Sequence, residues 1–218
     1  MQKNIFHISL AFFISISLFF SSCISGKYAV VEISTDYGEM TVALNEESKG
    51  LNDFFLNNIK SGIYDSSLFH RSIKDFVIQG GEQRGQVGDS NTVTYNTLIK
   101  DEPNNNINKR GAIALANVNR DSSNAINGPG FYIVTGRKFS STELGQIESY
   151  FGVTYDEEQR AVYIESGGMP HLDGKFTVIG EVVKGIEVLD QIEAVETNEQ
   201  DNPLQNISMT ISIVKEPK

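Results

Sequence analysis

One cysteine in 218 residues, three histidines, and 18 basic side chains against 28 acidic ones set the first limits on this sequence. A lone cysteine excludes any disulfide within the chain. With His7 close to the N-terminus, His70 and His171 are the only other imidazoles, and no cysteine, histidine and carboxylate spacing forms a metal site. The net charge of −10 excludes a phosphate-backbone partner, which needs clustered lysine and arginine, so no nucleic acid is expected. Acidity of this size serves solubility. Gly80, Gly81, Gly85 and Gly88 are followed by no Lys-Ser/Thr pair, which excludes a phosphate loop. Ser66 and Ser67 lack a G-x-S-x-G context, which removes a serine hydrolase. Proline is scarce, with 5 residues against 19 glycines; many tight turns and a mainly β chain follow, rather than a helix bundle.

No apolar run is long enough for a convincing membrane span, which takes about 20 residues. The run over residues 5–20 is shorter, is broken by serines and stands behind Lys3, where the apolar part of a signal peptide belongs. It ends in L-F-F-S-S-C. Small residues directly before a cysteine resemble a bacterial lipobox, although Phe20 is bulky for its position. That resemblance implies a lipoprotein signal peptide over residues 1–22, a lipidated tether over 23–27 beginning at Cys23, and a single domain over 28–218. It places the protein in a bacterial cell envelope, facing the periplasm and held to the membrane through its N-terminal lipid. A plain secretory signal is the alternative.

Beyond the tether, residues 28–35 and 39–44 alternate apolar and polar at period two around Asp36-Tyr37-Gly38, which predicts a hairpin. Leu51, Phe54, Phe55 and Ile59 then share one helical face, with Gly62 where a helix C-terminal glycine belongs. Apolar runs follow at 68–73 and 76–79. Residues 111–117 (GAIALAN) and 130–135 (GFYIVT) are apolar on nearly every residue, as in strands covered on both faces. Residues 136–169 change character: Ser140 with Glu143, and Thr154 with Glu157, make capping-box spacings, and Leu144, Ile147, Phe151 and Val162 follow at helical intervals. Two short helices in an insertion are expected. Residues 175–183 read as a strand, Ile186, Leu189 and Ile192 as a helix, and 207–214 as a final alternating strand. Pattern alone leaves a barrel and a sandwich equally open.

The segment F-H-R-S-I-K-D-F-V-I-Q-G-G, residues 69–81, sets a positive fork, an aromatic ring and an amide (Arg71, Phe76 and Gln79) on two adjacent apolar runs. It resembles the cyclophilin signature F-H-R-x-I-x-x-F-x-x-Q-G-G at every fixed position. The chain is similar to cyclophilins from about residue 28 to 214, through G-A-I-A-L-A-N, N-G-P-G-F-Y-I-V-T and H-L-D-G-K-F-T-V-I-G-E-V-V in order. The resemblance implies a closed eight-stranded antiparallel β-barrel capped by two helices, a proline-binding groove on its outer face, and peptidyl-prolyl cis-trans isomerase activity without a cofactor. It puts Arg71, Phe76 and Gln79 in the catalytic set. It assigns Val77, Ala116, Asn117, Tyr132, His171, Leu172 and Phe176 to substrate binding, the partners being proline-containing polypeptides and the chain a monomer.

The sequence departs from the family pattern at several of these positions. His171 stands where many members have tryptophan, Phe176 replaces a frequent histidine, Val77 a common methionine and Tyr132 the usual phenylalanine. The usual G-S-Q-F-F reads Gly128-Pro129-Gly130-Phe131-Tyr132, so the second groove glutamine is lost. The link over residues 118–127 is longer than the compact form. The tryptophan-to-histidine change implies weaker binding of cyclosporin-like ligands. A foldase for exported proteins is the leading expectation. A proline-binding chaperone with little turnover is the alternative, and a scaffold acting through the insertion is the third.

Overall fold

The computed structural model describes residues 29–81, 98–100, 104–116 and 125–217. Eight strands close into an antiparallel barrel. In chain order these are β1 (Val30–Thr35), β2 (Gly38–Leu44), β3 (Ser67–Ile73), β4 (Val77–Gly80), β6 (Ala112–Leu115), β8 (Phe131–Val134), β9 (Val178–Lys184) and β10 (Ile207–Lys215). Around the barrel the order is β1-β10-β3-β4-β8-β6-β9-β2, so the choice between barrel and sandwich is settled as a barrel. Two short strands, β5 (Leu98–Lys100) and β7 (Ala125–Asn127), pair apart from it; the sequence pattern did not indicate them.

Period-two alternation fills the interior. Along β10, Ile207, Met209 and Ile211 are buried while Ser208, Thr210 and Ser212 face out. Each large apolar side chain taken fully from water contributes about 1.5–3 kcal/mol. The interior cluster includes Val31, Ile33, Met40, Phe69, Ile78 and Ile133, and the helices α1 (Lys49–Lys60) and α4 (Ile186–Glu193) add Phe55, Ile59, Leu189 and Ile192 to it. These are the two capping helices. α1 ends as expected: the Gly62 N–H donates to Ile59 O and the Ile63 N–H to Asn58 O, with Gly62 at φ +70°.

The paired glycines that close the signature segment have separate steric reasons. A Cβ on Gly80 would lie 2.5 Å from Met209 Cε and 2.6 Å from Leu68 O. Gly81 has φ +90°, and a Cβ there would lie 2.8 Å from Phe131 Cδ1.

The insertion carries α2 (Ser141–Phe151) and α3 (Glu157–Glu165) over its own small core of Phe139, Leu144, Tyr155 and Tyr163. The first capping box is the expected one, Ser140 with Glu143. The second is shifted by two residues, to Asp156 with Gln159, because the Asp156 carboxylate is the acceptor for the Gln159 N–H. Phe151, expected on the buried stripe of α2, is 40 % exposed. β9 also begins three residues later than read, at Val178, because Leu172–Lys175 turns: the Lys175 N–H donates to Leu172 O.

Candidate active site

The signature residues meet on the outer wall of the barrel because of an irregularity in β3. Phe69 pairs with Gly80 but Arg71 pairs with Gln79, so β3 carries an extra residue at this point. In a regular strand, residues two apart share a face. Here the bulge reverses the parity: Phe69 is 1 % exposed in the barrel interior, whereas the Arg71 side chain is 38 % exposed outside. His70, between them, is half-buried in the bulge.

From Arg71 a single lateral row crosses five strands. Arg71 pairs with Gln79, Gln79 with Tyr132, Tyr132 with Ala114, and Ala114 with Val178. Directly opposed residues have Cβ atoms about 4.5–5.5 Å apart, so the fork and the amide are neighbours and the tyrosine ring lies next to them. Residues 112–116 alternate for the same reason: Ile113 and Leu115 enter the core, while Ala112, Ala114 and Ala116 belong to the outer cluster. These three alanines, at most 6 % exposed, form the base of an apolar patch on the outer wall. Val77, Tyr132, Val134, Met169 and Val178 complete it, and half-buried Phe76, Leu172 and Phe176 form its rim. This is why β6 and β8 are apolar on both faces: one face meets the core, the other this outer cluster.

His171 enters from the one-turn 3-10 helix Pro170–Leu172 and stacks on Phe76, with ring centroids 5.9 Å apart and planes 13° from parallel. Phe176 meets Tyr132 edge-on at 5.6 Å. Thus Val77, Ala116 and Tyr132, with Phe76, Leu172 and Phe176 packed on them, His171 stacked on Phe76, and Arg71 and Gln79 in the adjoining row, are gathered on one apolar patch of the outer wall. Asn117, and Cys23 at the N-terminus, lie outside the described residues.

Sequence reading missed what holds the far side of this patch. Tyr132 Oη donates to Asn108 Oδ1 at 3.0 Å. Asn108 donates from its backbone and from Nδ2 to Asp173 Oδ1, at 2.7 and 2.9 Å. Asp173 Oδ2 accepts the hydroxyls of Tyr155 and Tyr163 at 2.9 and 2.5 Å. Burial first, then the Asp173 carboxylate, holds both of these tyrosines protonated far above the ordinary tyrosine range. The insertion is therefore fastened through Asp173 to the turn that presents His171 and Leu172. A cavity of about 450 Å³ lies toward α3 and shares Ala112 and Val178 with the outer cluster; Arg71, Phe76 and Gln79 do not line it.

Burial, followed by the Lys175 ammonium, holds the His171 imidazole below its ordinary value near 6.5, with Asp173 pulling weakly the other way. The ring is therefore neutral at pH 7 and keeps the rim apolar. Between pH 6.5 and the lower folded-state value the unfolded chain binds a proton that the native chain does not, so stability falls as pH falls through that window. Urea midpoints measured from pH 7.5 to 5 will decline less in His171→Gln than in the wild type. Equal slopes would show that His171 does not contribute.

The profile of the family described as "Cyclophilin type peptidyl-prolyl cis-trans isomerase/CLD" matches residues 30–214. The chain belongs to the cyclophilin-type peptidyl-prolyl cis-trans isomerases. It is 31 % identical over 197 residues to a Staphylococcus saprophyticus protein named "Putative peptidyl-prolyl cis-trans isomerase", covering 88 % of this chain and 95 % of that one. It is 35 % identical over 184 residues to a Streptococcus pyogenes protein named "Putative bifunctional phosphatase/peptidyl-prolyl cis-trans isomerase"; that match covers 81 % of this chain but only 37 % of the longer relative. The fold is similar to that of a Cryptosporidium parvum cyclophilin type isomerase solved in the presence of the dipeptide Ala-Pro, with a TM-score of 0.62 and 22 % identity, covering 86 % of this chain and 99 % of that one. This cyclophilin is thus an enzyme that interconverts the cis and trans forms of X–Pro bonds.

Proposed function

We propose that this cyclophilin isomerises X–Pro bonds in exported proteins by aiming the Arg71 guanidinium at the prolyl nitrogen of a chain seated on the outer apolar patch. The observation that carries the reading is the juxtaposition of one cationic fork with that patch. Rotation about an X–Pro bond costs roughly 18–20 kcal/mol because it breaks amide resonance, and unaided it takes tens of seconds or more. Midway, the prolyl nitrogen recovers a lone pair. A donor directed at that nitrogen binds the twisted state more tightly than either planar state, and no nucleophile, base or cofactor is required.

Arginine fits this task. Its guanidinium is planar, always charged and rich in donors. Phe76, Tyr132, Leu172 and Phe176 would wall the proline ring, and the apolar surround strengthens the arginine by lowering the local dielectric. Gln79, next to Arg71 in the row, and the backbone at Ala116 and Asn117 would hold the peptide while one side of the bond turns. The Cryptosporidium relative, solved in the presence of Ala-Pro, supports a proline dipeptide as the minimal substrate. The test is a protease-coupled or NMR exchange assay of the purified protein on an Ala-Pro peptide. Turnover well above the spontaneous rate is expected; a rate equal to the uncatalysed one would remove the proposal.

The same reading places the enzyme at the cell envelope, lipidated at Cys23 and released from residues 1–22. It rests on the Lys3 start, the apolar run over 5–20 and the small residues before the only cysteine. A bacterial lipoprotein carries several acyl chains, which is what stable anchoring needs. Cys23→Ser is expected to move the protein from the membrane fraction to the soluble fraction and to abolish labelling with a fatty acid. Unchanged membrane retention would contradict it.

A further inference from the structure

The loop before β10 reaches back across β3 at the bulge. There the Ser72 N–H donates to Asp201 O at 2.9 Å, and Asn202 Nδ2 donates to His70 O at 2.8 Å. These two bonds grip the residues on either side of Arg71. Between them the Asp201 carboxylate accepts from Arg71 Nη2 at 3.4 Å. β10 itself pairs with β3 only as far as Phe69, so at Arg71 this loop takes the place of the neighbouring strand.

We propose that Asp201 is a positioning residue that holds the Arg71 guanidinium beside the apolar patch before substrate arrives. The inference rests on the catalytic reading of Arg71 and deepens it. The two side chains are 38 % and 42 % exposed, so the pair adds little to stability. Its effect is on orientation. A free arginine side chain carries substantial rotamer entropy, and any part fixed in advance is not lost when the twisted peptide binds. One nitrogen of the fork faces Asp201, and the remaining donors are left for the substrate.

The carboxylate is placed by backbone rather than by packing. Asp201 sits at φ +61°, a left-handed conformation uncommon outside glycine but tolerated by aspartate. The loop is closed on itself by Asn198: its Oδ1 accepts the backbone N–H groups of Gln200 and Asn202, at 2.9 and 3.0 Å, and its backbone O accepts the Asp201 N–H at 3.0 Å. This hairpin of hydrogen bonds fixes where the carboxylate stands relative to β3.

The test compares Asp201→Gly, which accepts the same positive φ and keeps both backbone bonds, with Asp201→Asn, which keeps an acceptor but no charge. Both are measured on an Ala-Pro peptide with kcat and KM separated, alone and in an Arg71→Ala background. Asp201→Gly is expected to lower kcat by at least about threefold, within the roughly hundredfold that a small misplacement costs, with KM and the urea midpoint unchanged and Asp201→Asn intermediate. In the Arg71→Ala background it should cause no further loss. Wild-type kcat in Asp201→Gly while Arg71→Ala is slow would overturn this inference and leave the catalytic reading standing. An equal loss in both backgrounds, or one that follows the urea midpoint, would make Asp201 merely structural. Full turnover in Arg71→Ala would overturn both readings.

Discussion

Arg71→Ala lowers isomerisation of an Ala-Pro peptide at least tenfold, equivalent to about 1.4 kcal/mol of barrier, while the barrel remains folded. The expectation follows from where the side chain stands. Arg71 projects from the outer wall, 38 % exposed, and pairs with the half-exposed Asp201. Deleting it opens no hole in the interior, where β3 contributes Phe69 instead. The urea midpoint should therefore shift by no more than an exposed pair is worth, about 1 kcal/mol or less. Arg71→Lys should recover only part of the rate, since an ammonium keeps the charge but not the rigid planar fork. The protease-coupled assay at matched enzyme concentration separates the cases. Undiminished turnover in Arg71→Ala would remove arginine from the chemistry.

Asp173→Ala is expected to destabilise the protein by at least about 3 kcal/mol, because each buried polar group left unsatisfied costs about 1–3 kcal/mol. Its carboxylate receives the Asn108 backbone N–H and Nδ2 and the hydroxyls of Tyr155 and Tyr163. Tyr163 is 0 % exposed, so its hydroxyl has no ready exchange with water. The loss should also reach the site. Asp173 follows directly on His171 and Leu172, and Asn108 accepts from Tyr132, so two sides of the apolar patch share this network. KM for the peptide should rise along with the loss of stability. Urea unfolding with m-values measured in parallel checks the first expectation; a change below 1 kcal/mol would mean that the insertion is decoration rather than a brace.

The barrel was legible in part. Alternation in 28–35, 39–44 and 207–214 indicated strands, and the uninterrupted apolar character of 111–117 and 130–135 indicated double burial, but neither says how eight strands close. The physical reason for the double burial, an outer patch based on Ala112, Ala114 and Ala116 turned away from the core, appears only when the barrel does. The site was legible as a set of residues and not as a geometry. Spacing puts Phe69 and Arg71 on one face, and only the bulge in β3 separates them. Asp201 is 130 positions from Arg71 and Asp173 is 65 from Asn108, so no local pattern connects either pair. The misplaced capping box has a simpler cause: Thr154-x-x-Glu157 and Asp156-x-x-Gln159 overlap, both satisfy the spacing rule, and the carboxylate took the cap. Tyr132 offered a signal that could have been used, since a hydroxyl at a position usually held by phenylalanine must find a partner if buried, and that partner, Asn108, leads straight to the insertion.

A crystal structure of the enzyme with an Ala-Pro peptide bound would show whether Arg71 faces the X–Pro bond. The proline ring is expected between Phe76, Tyr132 and Leu172, with a guanidinium nitrogen of Arg71 within about 3.2 Å of the prolyl nitrogen or one bridging water from it. A peptide bound elsewhere, such as in the cavity beside α3, or bound on the patch with the guanidinium turned from the X–Pro bond, would contradict that arrangement.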